Sequence, residues 1–344
     1  MPRVYARRPR SRSRVDRVTL IVLAAFLVIA SITAVLAFVW VRSRFVPAGP
    51  ASPVVAGGKS STGLTGGSTG DENIPVPTGP LQRVTDPTPV PWDGVSRVTI
   101  LVMGLDYRDW SEGDDVPRTD SMILFSIDPV TKTAGMLSIP RDLWVTIPGV
   151  GENRINTAHF FAEAQNPGSG PISAAQTVEQ NFGLRVPYYV RLRFDAFLGI
   201  VDALGGVTVD LPADMGGLTA GRHHLDGAQA LAFVRDRQGT DDFFRMERGQ
   251  LMLKAVAKET LLPTAWPRIP AVIQAGFSSV DSNIPFWQWP RLGLAILRAG
   301  LTDSIDSSTI RREMTTPYIT DEGANVLLPD WNQIHPFVDE MFAQ

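Results

Sequence analysis

Arginines and aspartates gathered in four short clusters are the residues of this sequence that could carry chemistry. Arg118-Thr119-Asp120 precedes the apolar run Ser121-Met122-Ile123-Leu124-Phe125, and Pro140-Arg141-Asp142 follows the run Gly135 to Ile139. Arg235-Asp236-Arg237 ends one helical stretch, and Asp242, Arg245 and Arg248 open the next. A planar guanidinium fork matches phosphate oxygens two at a time. Carboxylates brought together at strand ends are what a hard divalent cation needs. The clusters therefore read as a pyrophosphate site with a metal. Attack of a hydroxyl on a phosphoryl group, with a second phosphate leaving, needs charge neutralised on both phosphates more than it needs a covalent nucleophile. Arg118, Arg141, Arg235, Arg237 and Arg245 can supply that neutralisation. Asp106 and Asp120 lie just beyond and just before a buried strand, so both can converge on one sheet edge as a partial shell for Mg²⁺ or Mn²⁺.

Each assignment has a plainer rival. Asp120 could merely orient Arg118, and Asp142 is as well placed for a salt bridge to Arg141 as for catalysis. Arg235 and Arg237, at i and i+2, point apart on a helix, unless the chain has already left it, as Gln238-Gly239 suggests. Asp242, Arg245 and Arg248 fall at i, i+3 and i+6, and Asp242 could be only a helix cap. Asp106, Asp142 and Asp242 all remain candidates for a general base. His159, His223, His224 and His335 show neither ligand nor triad spacing, so packing or surface roles suit them. No serine stands in a nucleophile-elbow motif, and with no cysteine there is no thiolate chemistry.

The positioning elements alternate. Val98 to Met103 and Met122 to Ile127 are continuous apolar runs, as strands covered on both faces would be. Thr133 to Ile139 is a third strand, hairpinned to the second through Asp128-Pro129. Ile172 to Phe182 has helical spacing and a stop at Gly183. Pro187 to Phe194 reads as a strand, and Asp195 caps a helix that runs to about Leu204 and ends at Gly205-Gly206. Val207 to Leu211 is a strand, Asp226 caps a helix through Val234, and Asp241 or Asp242 caps a long one to about Leu261. This pattern predicts an α/β fold, in which sites form at strand ends and helix N-termini.

Compartment narrows the substrate. Val18 to Val41 is 24 residues without a charge, longer than the roughly 20 that span a bilayer. Residues 1–17, the predicted cytoplasmic tail, hold seven arginines and one aspartate, whereas only Arg42 and Arg44 lie just beyond the apolar segment. That bias places the N-terminus in the cytoplasm and the remainder outside a cell membrane, as a retained single-pass anchor. Beside such a segment the basic tail reads as topogenic and gives no support to nucleic acid as a partner. Residues 1–44 carry net +8, so the total of −3 leaves about −11 for the exterior part. Arginines in an acidic domain act locally, not as a polyanion surface. Residues 42–95 are a flexible linker rich in Pro, Gly, Ser and Thr. Residues 96–344 suit one large domain, with 262–344 as a C-terminal elaboration. Trp266, Trp287, Trp289 and Trp331 in that last part could line a lipid tunnel or fill a core, and core is the default.

Five segments together resemble the LytR–CpsA–Psr family, in its order and behind a single N-terminal anchor. They are Gly104-Leu105-Asp106, Arg118 to Leu124, Ser138 to Asp142, Ala203 to Val207, and His224 to Arg237. The resemblance covers roughly residues 96 to 262 strongly and the remainder weakly. It implies a three-layer α/β/α domain with a central mixed sheet, preceded by one transmembrane helix. It also implies binding of a polyprenyl-pyrophosphate-linked glycopolymer and transfer of the phosphoglycosyl polymer to a peptidoglycan hydroxyl. The family pattern keeps Asp242 among the site residues. Arg248-Gly249-Gln250 stands where many members have Arg-Gln-Gln, so Gln250 is a weak carry-over, and His159 replaces a common aromatic after Arg154-Ile-Asn-Thr-Ala158. Two other readings use the same residues: a polyprenyl-pyrophosphate hydrolase, in which water is the acceptor, and a non-catalytic lipid-binding or regulatory membrane protein. A tail of 17 residues is too short for a DNA-binding domain, which leaves regulation the weakest.

Overall fold

A computed structural model describes residues 91–105, 116, 118–236, 242–277, 280–300 and 305–342 of the 344. The expected transmembrane segment, the linker up to residue 90, Asp106 and Arg237 lie outside the described residues. No helix among those described is long and apolar enough to cross a membrane.

Six strands form the central sheet: β1 (Val98–Leu105), β2 (Thr119–Asp128), β3 (Thr133–Ile139), β6 (Tyr188–Arg193), β9 (Val280–Ser282) and β10 (Ile305–Thr309). Their order is β10-β3-β2-β1-β6-β9. β2 is antiparallel to β1 and β3, β6 is parallel to β1, β10 is parallel to β3, and β9 is antiparallel to β6. The sheet is mixed, as expected. Alternation along each strand feeds two cores. Leu101, Met103, Met122, Leu124, Leu137 and Ile139 face one side; Val98, Ile100, Ile127 and Tyr188 face the other. Truncating any of the fully buried leucines to alanine costs about 2–5 kcal/mol, because the cavity collapses only in part.

Helices α1 (Thr157–Gln165), α2 (Gly170–Phe182) and α8 (Trp331–Phe342) carry apolar faces to the first side. On the second side lies α7 (Trp289–Gly300), through Leu292 and Ala295. The long α5 (Asp242–Leu261) lies there too and reaches Ser138 of β3 through Gln250. A further core joins α3 (Phe194–Leu204), α4 (Gly227–Arg235), part of α5 and the hairpin of β7 (Val207–Leu211) and β8 (Gly221–Leu225). Smaller hairpins, β4 (Trp144–Ile147) with β5 (Gly151–Arg154) and β11 (Thr315–Ile319) with β12 (Asn325–Pro329), flank the sheet.

Local sequence accounts for the helix ends. Gly183 closes α2 at φ 69° and Gly205 closes α3 at φ 83°, both in the left-handed region that a Cβ disfavours. Asp226 and Gln229 form a capping box on α4, each side chain accepting from the other's backbone N–H, a device that contributes about 1 kcal/mol.

Three expectations change. The helix expected to be capped by Asp195 starts at Phe194 with Arg193 in the cap position, because the strand runs straight into it. Residues 262–344 supply both edge strands of the sheet and α8 of the core, so they are built into the fold. Of the four tryptophans read as core by default, only Trp331 packs against the core, whereas Trp266, Trp287 and Trp289 are exposed.

Candidate active site at one edge of the sheet

Strand direction decides which residues meet. Leu105, the last residue of β1, pairs with Thr119, the first of β2. Ile139, the last of β3, pairs with Met122, and Arg193, the last of β6, pairs with Leu105. The carboxyl ends of β1, β3 and β6 and the amino end of β2 thus form a single edge, where sites in such sheets gather. Asp120 and Arg141, 21 residues apart in sequence, meet there: Arg141 Nη1 donates to Asp120 Oδ1 at 3.0 Å. From the far side Arg245, in the first turn of α5, donates Nη2 to the backbone carbonyl of Asp120 at 3.2 Å. Arg118 places its guanidinium 5.5 Å from the centre of the Phe160 ring of α1, a cation–π contact that fixes its plane.

Asp142 turns both oxygens on guanidiniums, with Oδ2 3.5 Å from Arg141 Nε and Oδ1 3.7 Å from Arg154 Nε. Arg154 itself is 3% exposed. It donates Nε and Nη2 to the Asn325 carbonyl at 3.1 and 2.7 Å, so β5, β12 and the Arg141 loop are locked together. This geometry makes Asp142 a positioning residue for Arg141. The backbone supports the same loop: the Asn156 N–H donates to the Arg141 carbonyl and the Leu327 N–H to the Asp142 carbonyl.

The remaining expected residues divide. Arg235 is exposed on the last turn of α4. Arg248 is fully buried, with Nη2 bonded to the Asp236 carbonyl, and Gln250 is buried with Nε2 on Ser138 Oγ (2.9 Å) and the Ser308 carbonyl (2.6 Å). These two were expected at the pyrophosphate. Instead Gln250 ties α5 to the sheet and Arg248, two residues away and pointing elsewhere, ties it to the end of α4, so they hold α5 in place and Arg245 with it. Asp242 opens α5. Asp106 follows Leu105 in the chain, and Arg237 follows Asp236, both outside the described residues.

Sequence reasoning missed two groups. Asn156, in the cap position of α1, is 5% exposed, and its Oδ1 makes no hydrogen bond among the described residues. A buried amide oxygen left so beside Arg141 is what a ligand would complete. Arg191 is buried on β6, held by Asp281 Oδ2 (2.7 Å), Glu163 Oε1 (3.2 Å) and His159 Nε2 (3.2 Å). Burial pushes the Glu163 carboxyl up. Arg191, the N–H groups of Gly168 and Gly170, and His159 outweigh it and leave it below the usual carboxylate range. The Arg-Leu-Arg at the end of β6 was the available signal, because alternation puts Arg191 and Arg193 on one face.

Among the described residues no three His, Cys, Asp or Glu side chains gather as a metal cluster. At this edge the carboxylate of Asp120 offers a hard oxygen, one of its two already accepting from Arg141. One remaining carboxylate oxygen is of the hard type that Mg²⁺ or Mn²⁺ takes and is at most part of a shell.

TagU of Oceanobacillus iheyensis, a polyisoprenyl-teichoic acid–peptidoglycan teichoic acid transferase, is 41% identical over 168 residues, which are 47% of this chain and 51% of that protein. MsrR of Staphylococcus aureus, a regulatory protein, is 29% identical over 237 residues, 67% of this chain and 66% of its own length. The chain thus spans about half of one relative and just under two thirds of the other. The solved structure of TagT bound to LIIa-WTA superposes with a TM-score of 0.58 and 25% identity, covering 72% of this chain and 90% of that one. The LytR_cpsA_psr family model matches residues 82–341, and the chain belongs to that family.

Proposed function

We propose that this chain is a membrane-anchored phosphotransferase that moves a glycopolymer from a polyprenyl-pyrophosphate carrier onto a peptidoglycan hydroxyl. One observation carries the reading: Arg118, Arg141 and Arg245 come from three separate segments to one sheet edge, Arg141 on the Asp120 carboxylate, Arg245 on the Asp120 carbonyl and Arg118 against the Phe160 ring. Three guanidiniums brought to one strand edge match the oxygens and the charge of a diphosphate. The transferase name of TagU, and TagT bound to LIIa-WTA, support the substrate class.

In this reading the acceptor hydroxyl oxygen bonds to the sugar-bearing phosphorus. The bond from that phosphorus to the bridging oxygen breaks, polyprenyl phosphate leaves, and the hydroxyl proton passes to a carboxylate. Arg118 and Arg141 grip the non-bridging oxygens and oppose the charge that builds on them. Arg245 takes the lipid-side phosphate, with Arg235 at its outer rim, and the family resemblance assigns Arg237 to the same anion. Asp142 and Arg154 hold the Arg141 fork in plane. Of the candidate bases Asp106, Asp142 and Asp242, the ion pairs of Asp142 leave the role to Asp106 or Asp242. Asp106 and Asp120 would hold Mg²⁺ or Mn²⁺, which when bound offsets the repulsion between pyrophosphate and carboxylates. Val18 to Val41 anchors the chain in the cell membrane, with the N-terminus cytoplasmic and residues 46–344 outside.

The test is a reaction of the full chain with a labelled polyprenyl-pyrophosphate oligosaccharide and peptidoglycan. Label bound covalently to the wall through phosphate, with one polyprenyl phosphate released per transfer, is the expected result. Release without transfer would instead make the protein a hydrolase, and neither product would make it a non-catalytic lipid-binding or regulatory protein, regulatory being the word in the name of MsrR.

A further inference from the structure

Arg311 and Arg312 stand at the site edge and have no part in the diphosphate grip proposed above. β10 runs parallel to β3 with Thr309 beside Ser138, and the Ile310 N–H donates to the Ser138 carbonyl at 3.1 Å. The two arginines that follow therefore leave the sheet at the same edge as Arg141, one strand further out, where neighbouring strands are about 4.8 Å apart. Both are exposed, whereas Arg118, Arg141 and Arg245 are half-buried.

Aromatic rings hold the pair in place. Arg311 lies over Phe337 of α8, 5.3 Å from the ring centre, and Arg312 over Phe243 of α5 at 5.2 Å. These helices cover opposite faces of the sheet, so the two guanidiniums straddle its edge. A ring attracts the cation but occupies none of the N–H donors at the guanidinium rim.

The neighbouring carboxylates do not claim Arg311. Asp330 accepts from the Asn332 N–H at 3.1 Å and from Gln333 Nε2 at 2.7 Å. Arg311 makes no side-chain hydrogen bond or ion pair among the described residues, and neither does the exposed Glu313. Adjacent cations repel one another, and an anion between them relieves that repulsion through charge-assisted bonds.

We propose that Arg311 and Arg312 bind peptide carboxylates of the peptidoglycan acceptor and so bring its sugar hydroxyl to the phosphorus beside Arg141. The proposal rests on the transferase function proposed above. There the donor is held through its diphosphate, whereas the acceptor still lacks a surface. Peptidoglycan carries short peptides with free carboxylates along its glycan strands, so it brings anions close to its hydroxyls. A polymer of that size arrives from solution and meets exposed groups, and it must lie beside Arg141 for its hydroxyl to reach the phosphorus. Arg311 and Arg312 meet both conditions, and the planar fork of each suits a carboxylate.

Binding and transfer test this separately. Soluble glycan strands with intact peptides, and the same strands with their carboxyls amidated, would be titrated against the full chain in detergent, with the donor absent. The parent should prefer intact strands. Arg311→Gln and Arg312→Gln should each weaken binding of intact strands by roughly twofold to fivefold and leave amidated strands unaffected. The double variant should lose the preference, as should the parent at high salt. Arg311→Lys should recover only part of it, because the charge stays and the fork goes. Arg185→Gln removes the same charge at the amino end of β6, the far end of the sheet, and should bind like the parent. Equal weakening on both kinds of strand, or none on either, overturns the proposal. A raised donor KM in transfer with acceptor binding unchanged gives these arginines to the glycopolymer and also overturns it. A parent that prefers intact strands through these arginines yet transfers nothing keeps the acceptor surface and overturns the transferase reading. Transfer without that preference does the reverse.

Discussion

Arg141 and Arg154 flank the same carboxylate, Asp142, and should fail in opposite ways when replaced by alanine. Arg141 is 27% exposed and its pairs with Asp120 (3.0 Å) and Asp142 (3.5 Å) are open to solvent. Ion pairs of that kind contribute about 0.2–1 kcal/mol each, so Arg141→Ala should cost about 1 kcal/mol. For a domain of this size that moves the melting temperature by about 2–4 °C. Its effect on transfer should be far larger. Losing one donor aimed at charge that develops in the transition state lowers kcat by about 10²–10³. Arg154 is 3% exposed and satisfies the Asn325 carbonyl twice. Arg154→Ala strands that carbonyl and loosens Asp142, and breaking such a buried arrangement costs about 3–5 kcal/mol.

The assay pairs thermal melts with glycopolymer transfer measured well below the melting temperature. Arg141→Ala should melt like the parent and transfer almost nothing, and Arg141→Lys should recover only part, because an ammonium keeps the charge and loses the fork. Arg154→Ala should melt far lower. If Arg141→Ala melts as low as Arg154→Ala, or still transfers at near-parent rates, Arg141 is a structural ion pair and the site reading fails.

Glu163 titrates below the usual carboxylate range in the fold, so its contribution is complete above its unfolded value of about 4.5 and is lost as pH falls through the lower folded value. Glu163→Gln should therefore lower the melting temperature at pH 7 and flatten its decline below pH 4.5; equal slopes would exclude Glu163 as the source. Transfer should stop with a chelator and return with Mg²⁺ or Mn²⁺, and Asp120→Asn should need much more of either; unchanged metal dependence would make Asp120 only the partner of Arg141. Gly206, at φ 94° with the Leu225 carbonyl 2.9 Å from where a Cβ would stand, should cost about 1–3 kcal/mol as Gly206→Ala, read by chemical denaturation. A phosphatase fused after Gln344 should be active outside the cytoplasm, and an active cytoplasmic reporter there would invert the topology.

The strands nearest the site were legible because they are buried on both faces. Val98 to Met103 and Met122 to Ile127 are nearly continuous apolar runs, and the hairpin at Asp128-Pro129 follows directly. Gly183, Gly205 and Asp226 carried the helix ends for reasons of backbone geometry and capping. The β9 and β10 edge strands were not legible, since three- and five-residue strands paired on one side leave a weak pattern. The exposed Trp287 and Trp289 were misread for a different reason. Residue type alone argues for burial, and only the packing of Leu292 and Ala295 reveals which side of α7 is already filled.

Sequence found the arginines but could not sort them, and burial does so. Arg118, Arg141 and Arg245 are half-buried at the edge where three strands end, and their partners there include the Asp120 and Asp142 carboxylates, one carbonyl and one ring. Arg154, Arg191 and Arg248 are buried at neighbouring places and hold carbonyls or carboxylates of other elements. A guanidinium desolvated by its own fold has spent its donors on that fold and cannot release them without a large penalty. One still partly wetted can exchange water and a weak ion pair for phosphate oxygens at little cost, because the stronger charge-assisted bonds replace the weaker ones. The same Asp-Arg vocabulary thus serves two purposes in one family motif. In the proposed function the outer arginines give affinity for a diphosphate, and the inner ones keep the strand ends rigid enough for the outer ones to converge.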